Sequence, residues 1–380
     1  MPRRGSMIVA LLALALALVA CAPAASPTPT PTKPPAGAAT AAPTKAPEAT
    51  KPPAPAPTQA AAATSTPQPT TVKWGTPQAI ADAGAYIAID RGYFKEQGIT
   101  MELVNFRTVG EIVAPLGTGQ LDAAGLPLSV PVLAAADRGV QLKIVASGGH
   151  HREGWAYSWV VLRKDLQDSG QVKTPADLKG MKIAIPSQGS LGEQTIQTML
   201  EQSGLKATDV EMVVLPFAEQ AAGFGNKAIA ASFTVEPFIA RGVQEGFSVK
   251  WMPVYQFFGG RVDGQLTVFG PSLLKDQDLG RRWMVAYLKG VRDYVKAFTT
   301  KEGRDQVISI LAKYSTVQDP KLYDVMGMPY LDPNGQLSKP SLDAQYKWYV
   351  DKGLYTGKKT LDDIIDLSYV DYALQKLGKQ

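Results

Sequence analysis

Thiols are almost absent from this 380-residue chain, in which Cys21 is the one cysteine. A single thiol closes no disulfide within the chain, and a mature protein with no other leaves no room for thiolate catalysis. Histidine is nearly as scarce: His150 and His151 are adjacent, and there are no others. Adjacent side chains of extended backbone point to opposite sides, so the pair is not expected to hold a metal. No G-x-S-x-G motif or metal-spaced cluster occurs, and no cofactor is expected. The apolar run Met7–Ala20 has 14 residues, too few to span a bilayer. Aromatic residues are missing from the whole front of the chain and begin at Trp74. The formal charge is only +5 and scattered, which gives no footprint for nucleic acid.

What is present divides the chain. Arg3 and Arg4 precede the apolar run, and the pattern predicts a targeting segment over 1–20. It ends Leu18-Val19-Ala20-Cys21, which resembles the lipobox of bacterial lipoproteins. That resemblance implies a diacylated Cys21 as mature N-terminus and a membrane tether without a membrane span. Residues 21–70 then carry 14 of the 29 prolines, with mostly Ala and Thr between them. Such a linker buries too little apolar surface to fold, and its prolines favour an extended chain. The folded unit is expected from 71 to 380, large enough for two lobes.

Through that unit, short β-branched runs alternate with helical patterns, as in βαβ units with a mostly parallel sheet. The clearest is Lys182-Ile-Ala-Ile-Pro-Ser-Gln-Gly-Ser-Leu-Gly-Glu193. Lys182 to Ile185 reads as a strand, and Pro186 to Gly189 break it. Ser190 and Glu193 form a capping box that predicts a helix to about Ser203. A helix N-terminus at the edge of an open α/β sheet is where ligands bind, although most βα loops bind nothing. A faint internal echo, Asp122-Ala-Ala and Ile229-Ala-Ala, points to two similar lobes. From Asp278 the pattern is helical. Met284, Leu288, Val291 and Val295 make one stripe, and a helix is predicted over 361–377.

Tyr86-Ile-Ala-Ile-Asp-Arg-Gly-Tyr-Phe-Lys-Glu-Gln-Gly98, Ala176-Asp-Leu-Lys-Gly-Met-Lys-Ile-Ala184, Glu236-Pro-Phe238 and Tyr369 to Gly378 carry a resemblance. Together with the lipobox, they resemble the substrate-binding proteins of ABC importers. The match is to the nitrate, sulfonate, taurine and thiamine-pyrimidine-precursor branch, which includes riboflavin binders. The resemblance implies a type II periplasmic-binding-protein fold, with two α/β lobes joined by two crossover strands and a ligand cleft between them. Lobe 1 is then 71–164 completed by 264–380, and lobe 2 is 165–263. It further implies a monomer that passes a small molecule to permease and ATPase subunits. One departure stands out: Lys227 and Ala230 occupy places where the family usually has Gly and Asp, whereas the first lobe keeps Gly119 and Asp122.

Cleft candidates come from loops at the C-terminal ends of strands. In the first lobe these are Trp74, Gln78, Phe106, Arg107, Leu126, Ser129, His150 and Trp155. In the second they are Ser187, Gln188, Ser190, Phe217, Thr234 and Glu236. Trp74 equally suits a core, Arg107 equally suits solvent, and Glu236 equally suits a helix start. Nitrate and sulfonate binders need fixed positive charge, and these loops hold one plausible arginine, Arg107. Aromatics are more frequent: Trp74, Phe106, Trp155, Tyr157 and Phe217. Aromatic faces suit a flat ring, with Glu236 and Gln188 to accept its N–H groups. The expected ligand is therefore a planar heterocycle, a flavin or an aminopyrimidine vitamin precursor, with a small anion as the alternative. The eukaryotic pyrimidine synthase is also similar, but its chemistry uses cysteine and histidine with iron, so no enzyme is expected here.

Overall fold

The computed structural model describes residues 69–380. The segment 1–20, Cys21 and the linker up to residue 68 lie outside the described residues. Ten strands follow in the chain: β1 (Thr70–Thr76), β2 (Ile99–Asn105), β3 (Ala123–Leu126), β4 (Lys143–His151) and β5 (Ser158–Arg163). After them come β6 (Lys182–Ile185), β7 (Glu211–Val214), β8 (Ala231–Val235), β9 (Ser248–Pro253) and β10 (Val262–Phe269). They form two five-stranded sheets, ordered β2-β1-β3-β10-β4 and β7-β6-β8-β5-β9.

The two sheets share one plan. In each, three strands run parallel, β2, β1 and β3 in one and β7, β6 and β8 in the other. The fourth strand is antiparallel and is the one that arrives from the opposite lobe: β10 in the first sheet, β5 in the second. A strand that enters across the cleft runs opposite to strands whose C-terminal ends point at that cleft. This moves the expected lobe boundary. Ser158 to Arg163 lie within the second sheet, between β8 and β9, and not in the first lobe up to residue 164. β10 likewise begins at Val262 rather than after 263.

The lobes repeat in detail as well. Asp122 N donates to Lys73 O at 3.0 Å, and Ala230 N donates to Lys182 O at 2.8 Å, so the two sites hold equivalent registers. The turn before each is left-handed, with φ +76° at Gly119 and +61° at Lys227. The missing glycine therefore leaves the turn in place and puts a lysine in a backbone region that glycine favours.

The core of the first lobe is closed by the helix Gln277–Thr299. Met284, Leu288 and Val291 of its stripe are buried, and Trp283 stacks on Trp74 with centroids 5.4 Å apart. It crosses the helix Ala83–Asp90 where both have glycine. A Cβ at Gly290 would collide with the Gly84 carbonyl oxygen. The helix predicted over 361–377 is two pieces, Leu361–Ile364 and Ser368–Leu377. Ile365 between them bridges to Ile144, and Asp366 N donates to Ile144 O at 2.9 Å, so pairing with the edge of β4 interrupts the helix.

Candidate functional site

The C-terminal ends of the parallel strands in both sheets, and the arrival ends of β5 and β10, converge on one cavity between the lobes. It encloses about 480 Å³ of space free of protein atoms, a figure that includes open solvent at its mouth. The first lobe contributes Pro77 and Ala79 after β1, Val109 after β2, Gly125 and Pro127 at the end of β3, and Gly264 and Gln265 of β10. The second contributes Tyr157 and Ser158 at β5, Pro186 and Ser190 to Gly192 after β6, Phe217 after β7, and Phe233 and Val235 of β8. No lysine or arginine is among these lining residues.

Of the residues picked from sequence, Ser190 and Phe217 line this cavity. Phe217 stacks on Phe238 at 5.8 Å and lies tilted to Phe233 at 6.5 Å, so it forms an aromatic wall. Gln78 lies in the lining loop between Pro77 and Ala79, half-buried, with φ +60°. Ser187 is half-buried on the opposite lip, where a Cβ at Gly110 would lie 3.5 Å from its own, and Gln188 is exposed beside it. Ser129 is buried at the start of the helix Val130–Asp137, next to the lobe-to-lobe bond Val130 N to Gly189 O at 2.8 Å. Arg107 stands exposed at the rim and pairs with Glu219 of the other lobe.

The structure places the others away from the cavity. Trp74 lies in the core against Trp283, because strand alternation turns it inward. Leu126 sits in a second apolar cluster, and half-buried Phe106 packs against that cluster. Trp155 meets Tyr330 edge-on at 5.4 Å. Thr234 faces away from the cavity, bonded to Ser232 and Gln220, while Phe233 and Val235 beside it face in. Glu236 is fully buried and its carboxylate is spent within the fold. It accepts from Lys250 at 2.8 Å, Gly327 N at 3.1 Å and Ala240 N at 2.9 Å. Burial raises its pKa, against the lowering effect of Lys250 and the two backbone donors.

Both histidines are buried in β4. Burial, then Arg261 and Arg152, pushes His150 down to about 2, so it stays neutral 3.8 Å from Asp263, whose charge is met by Arg261 at 3.1 Å. His151 is held down at about 3 by burial, stacks on Tyr157 at 4.1 Å, and meets Ser158 Oγ at 3.2 Å. Among the described residues there is no group of three or more His, Cys, Asp or Glu side chains that would hold a metal.

At the helix start, Ser190 Oγ accepts from Glu193 N at 3.3 Å, as the capping box predicts. The return bond shifts by one residue, and Glu193 takes Gly189 N–H at 2.6 Å. A carboxylate thus already occupies the place an anion would take.

Sequence reading missed Asp82, Gln265, Ser158 and Phe233. Phe233 was within reach from the alternation along β8. Asp82 was not, because its setting is completed by distant chain: Gln265 Nε2 donates to Asp82 Oδ1 at 2.5 Å, beside the local bond that Thr76 Oγ1 donates to Oδ2 at 2.5 Å. Burial pushes this carboxyl up to about 7, against the lowering effect of the hydrogen bonds it accepts.

Two lobes of like topology, closed around a cavity at their facing strand ends, define the periplasmic-binding-protein class of fold. The fold recurs in solved structures. The ligand binding component of an ABC-type import system from Staphylococcus aureus with zinc bound superposes with TM-score 0.67 at 16% identity, over 80% of this chain and 99% of that one. The nitrate-binding protein NrtA from Synechocystis gives 0.65 at 16%, over 81% and 89%. The alkanesulfonate-binding protein SsuA from Xanthomonas axonopodis pv. citri, bound to MOPS, gives 0.63 at 16%, over 79% and 98%. A family model described as NMT1/THI5 like matches residues 80–297, more than half of the chain, and the protein belongs to that family. It is also 30% identical over 128 residues to the 4-amino-5-hydroxymethyl-2-methylpyrimidine phosphate synthases THI12 and THI5 of Saccharomyces cerevisiae. That match covers 34% of this chain and about a third, 35%, of the yeast proteins.

Proposed function

We propose that this chain is the extracytoplasmic solute-binding component of an ABC-type importer, and that its ligand is a flat aromatic heterocycle such as a flavin or an aminopyrimidine vitamin precursor. The observation that carries the ligand class is the lining of the cavity: aromatic and apolar walls, a few hydroxyls and one amide, and no basic side chain. Rings stack on Phe217 and Tyr157 at little desolvation cost, whereas a bare anion there would lack a counter-charge. Arg107, the cation nearest in sequence to a lining loop, is engaged with Glu219 at the rim. The binding of sulfonate and nitrate named for the structural neighbours makes a small anion the alternative.

The ligand would pass to a permease driven by an ATPase, with the protein monomeric and tethered to the membrane through Cys21. Binding rather than catalysis fits the pocket, because the two histidines are neutral and buried in β4. No helix among the described residues is long and apolar enough to cross a membrane.

Titration calorimetry of the purified protein against riboflavin, formylaminopyrimidine, taurine and nitrate tests the assignment. The expected result is tight binding of one of the two heterocycles and none of the anions. Tight binding of only the anions would overturn the heterocycle reading.

A further inference from the structure

Gln265 lies at the floor of the cavity, 6% exposed, and its side chain has one way to lie. It runs between glycines on the two strands that flank β10. A Cβ at Gly148 of β4 would sit 3.1 Å from its Cγ, and one at Gly125 of β3 would collide with its Nε2 and with the Asp82 carboxylate. With Nε2 tied to Asp82 at 2.5 Å, the amide turns its oxygen the other way. The Tyr157 hydroxyl reaches the same floor, 2.6 Å from where a Cβ on Gly264 would be, and Tyr157 is 3% exposed. Among the described residues neither Gln265 Oε1 nor this hydroxyl has a hydrogen-bond partner, and both residues line the cavity. Neither atom is among the described buried side-chain atoms that lack a partner, so both stay open to the cavity, where a ligand would replace the water they otherwise meet.

Resting on the heterocycle reading above, we propose that Gln265 Oε1 and the Tyr157 hydroxyl select a ring edge carrying an N–H donor beside an acceptor, and that Asp82 is the positioning residue that fixes the Gln265 amide. The amino edge of a pyrimidine and the imide edge of a flavin share this chemistry. An inorganic oxyanion has no N–H to give.

The arrangement carries its own pH dependence. Ionised Asp82 only accepts, so it holds the Gln265 nitrogen. Protonated Asp82 donates to Oε1 equally well, which frees the amide to turn its nitrogen toward the cavity. Burial pushes Asp82 up to about 7. The ionisable groups facing it are Tyr86 on the helix Ala83–Asp90 that follows it, Tyr157 at the crossover and Tyr287 on the helix Gln277–Thr299, each kept protonated by burial.

The test compares riboflavin with 3-methylriboflavin, and 4-amino-5-hydroxymethyl-2-methylpyrimidine with its N4,N4-dimethyl derivative, by calorimetry at about pH 8.5 and about pH 6. The wild-type protein is expected to prefer the N–H member of the bound pair by roughly 10- to 100-fold at the higher pH, less at the lower. Gln265→Met, close in shape, is expected to erase the preference. Asp82→Asn is expected to make it independent of pH. A preference that survives both substitutions, or a wild type that binds a pair without discriminating, overturns this inference alone. Binding of taurine or nitrate with neither pair bound overturns the heterocycle reading and this inference with it.

Discussion

Asp82 and the two histidines are buried ionisable groups that pull stability in opposite directions with pH. The histidines bind protons below about pH 6.5 when unfolded, but stay neutral in the fold down to about 2 and about 3. Their contribution is present above that unfolded value and is lost as pH falls. Asp82 stays protonated in the fold up to about 7, and ionises near 3.8 when unfolded. Its contribution is present at low pH and is lost as pH rises through about 7. Between about pH 6 and 4, unfolding takes up two protons at the histidines and releases one at Asp82, so the joint contribution of these three groups to the unfolding free energy falls by about 1.4 kcal/mol per pH unit on acidification. Asp82→Asn removes the opposing group and makes the fall steeper by about 1.4 kcal/mol per pH unit. Denaturant unfolding across this pH range measures both, and an equal slope in the two proteins contradicts the assignment. The cap at Ser190 was legible in the sequence because its bonds span three or four residues. Asp82 was not, because its partner Gln265 is 183 positions away.

Elements were legible where their signals are local and failed where a distant strand intervenes. The helix Leu191–Gln202 begins one residue after its predicted cap and ends one residue before the predicted stop. The single helix predicted over 361–377 is broken by Ile365 pairing with β4, a contact across more than two hundred residues. β5 carries no mark of its lobe, because a strand's sequence specifies alternation and burial and leaves its partner open. The helix crossing at Gly84 and Gly290 is another long-range feature, since two backbones in contact leave no space for a methyl group. Gly290→Ala gains helix propensity worth about 1 kcal/mol, yet overpacking of this kind costs about 1 to 3 kcal/mol. A net loss is expected because the clash is with backbone, which gives least. A raised thermal midpoint for this variant would refute the close crossing.

At the scale of the molecule, the lobes are in contact around the cavity. Ile80 N donates to Glu236 O at 3.2 Å and Val130 N to Gly189 O at 2.8 Å, while Arg107 and Glu219 pair across the rim. A Cβ at Gly189 would lie 2.6 Å from that of Val130, so this loop needs glycine for the approach as well as for its φ of +60°. The two-lobe architecture was legible because alternating strands and helices restrict the topology. The cavity was legible only in part. Loop position picked out Ser190 and Phe217, whereas the floor comes from the arrival strands, whose lining residues lie at the start of a strand rather than after its end.

Phe217 is where the central claim is most exposed, because it is the aromatic wall that a flat ligand would stack on and an anion would ignore. Phe217→Leu keeps apolar bulk and removes the ring, so the fold is retained. Calorimetry of wild type and variant with the same heterocycle measures the ring's share. Binding is expected to weaken by roughly fivefold or more, in line with about 1 kcal/mol for an aromatic pair. Unchanged affinity for a bound heterocycle would contradict an aromatic-walled site between the lobes.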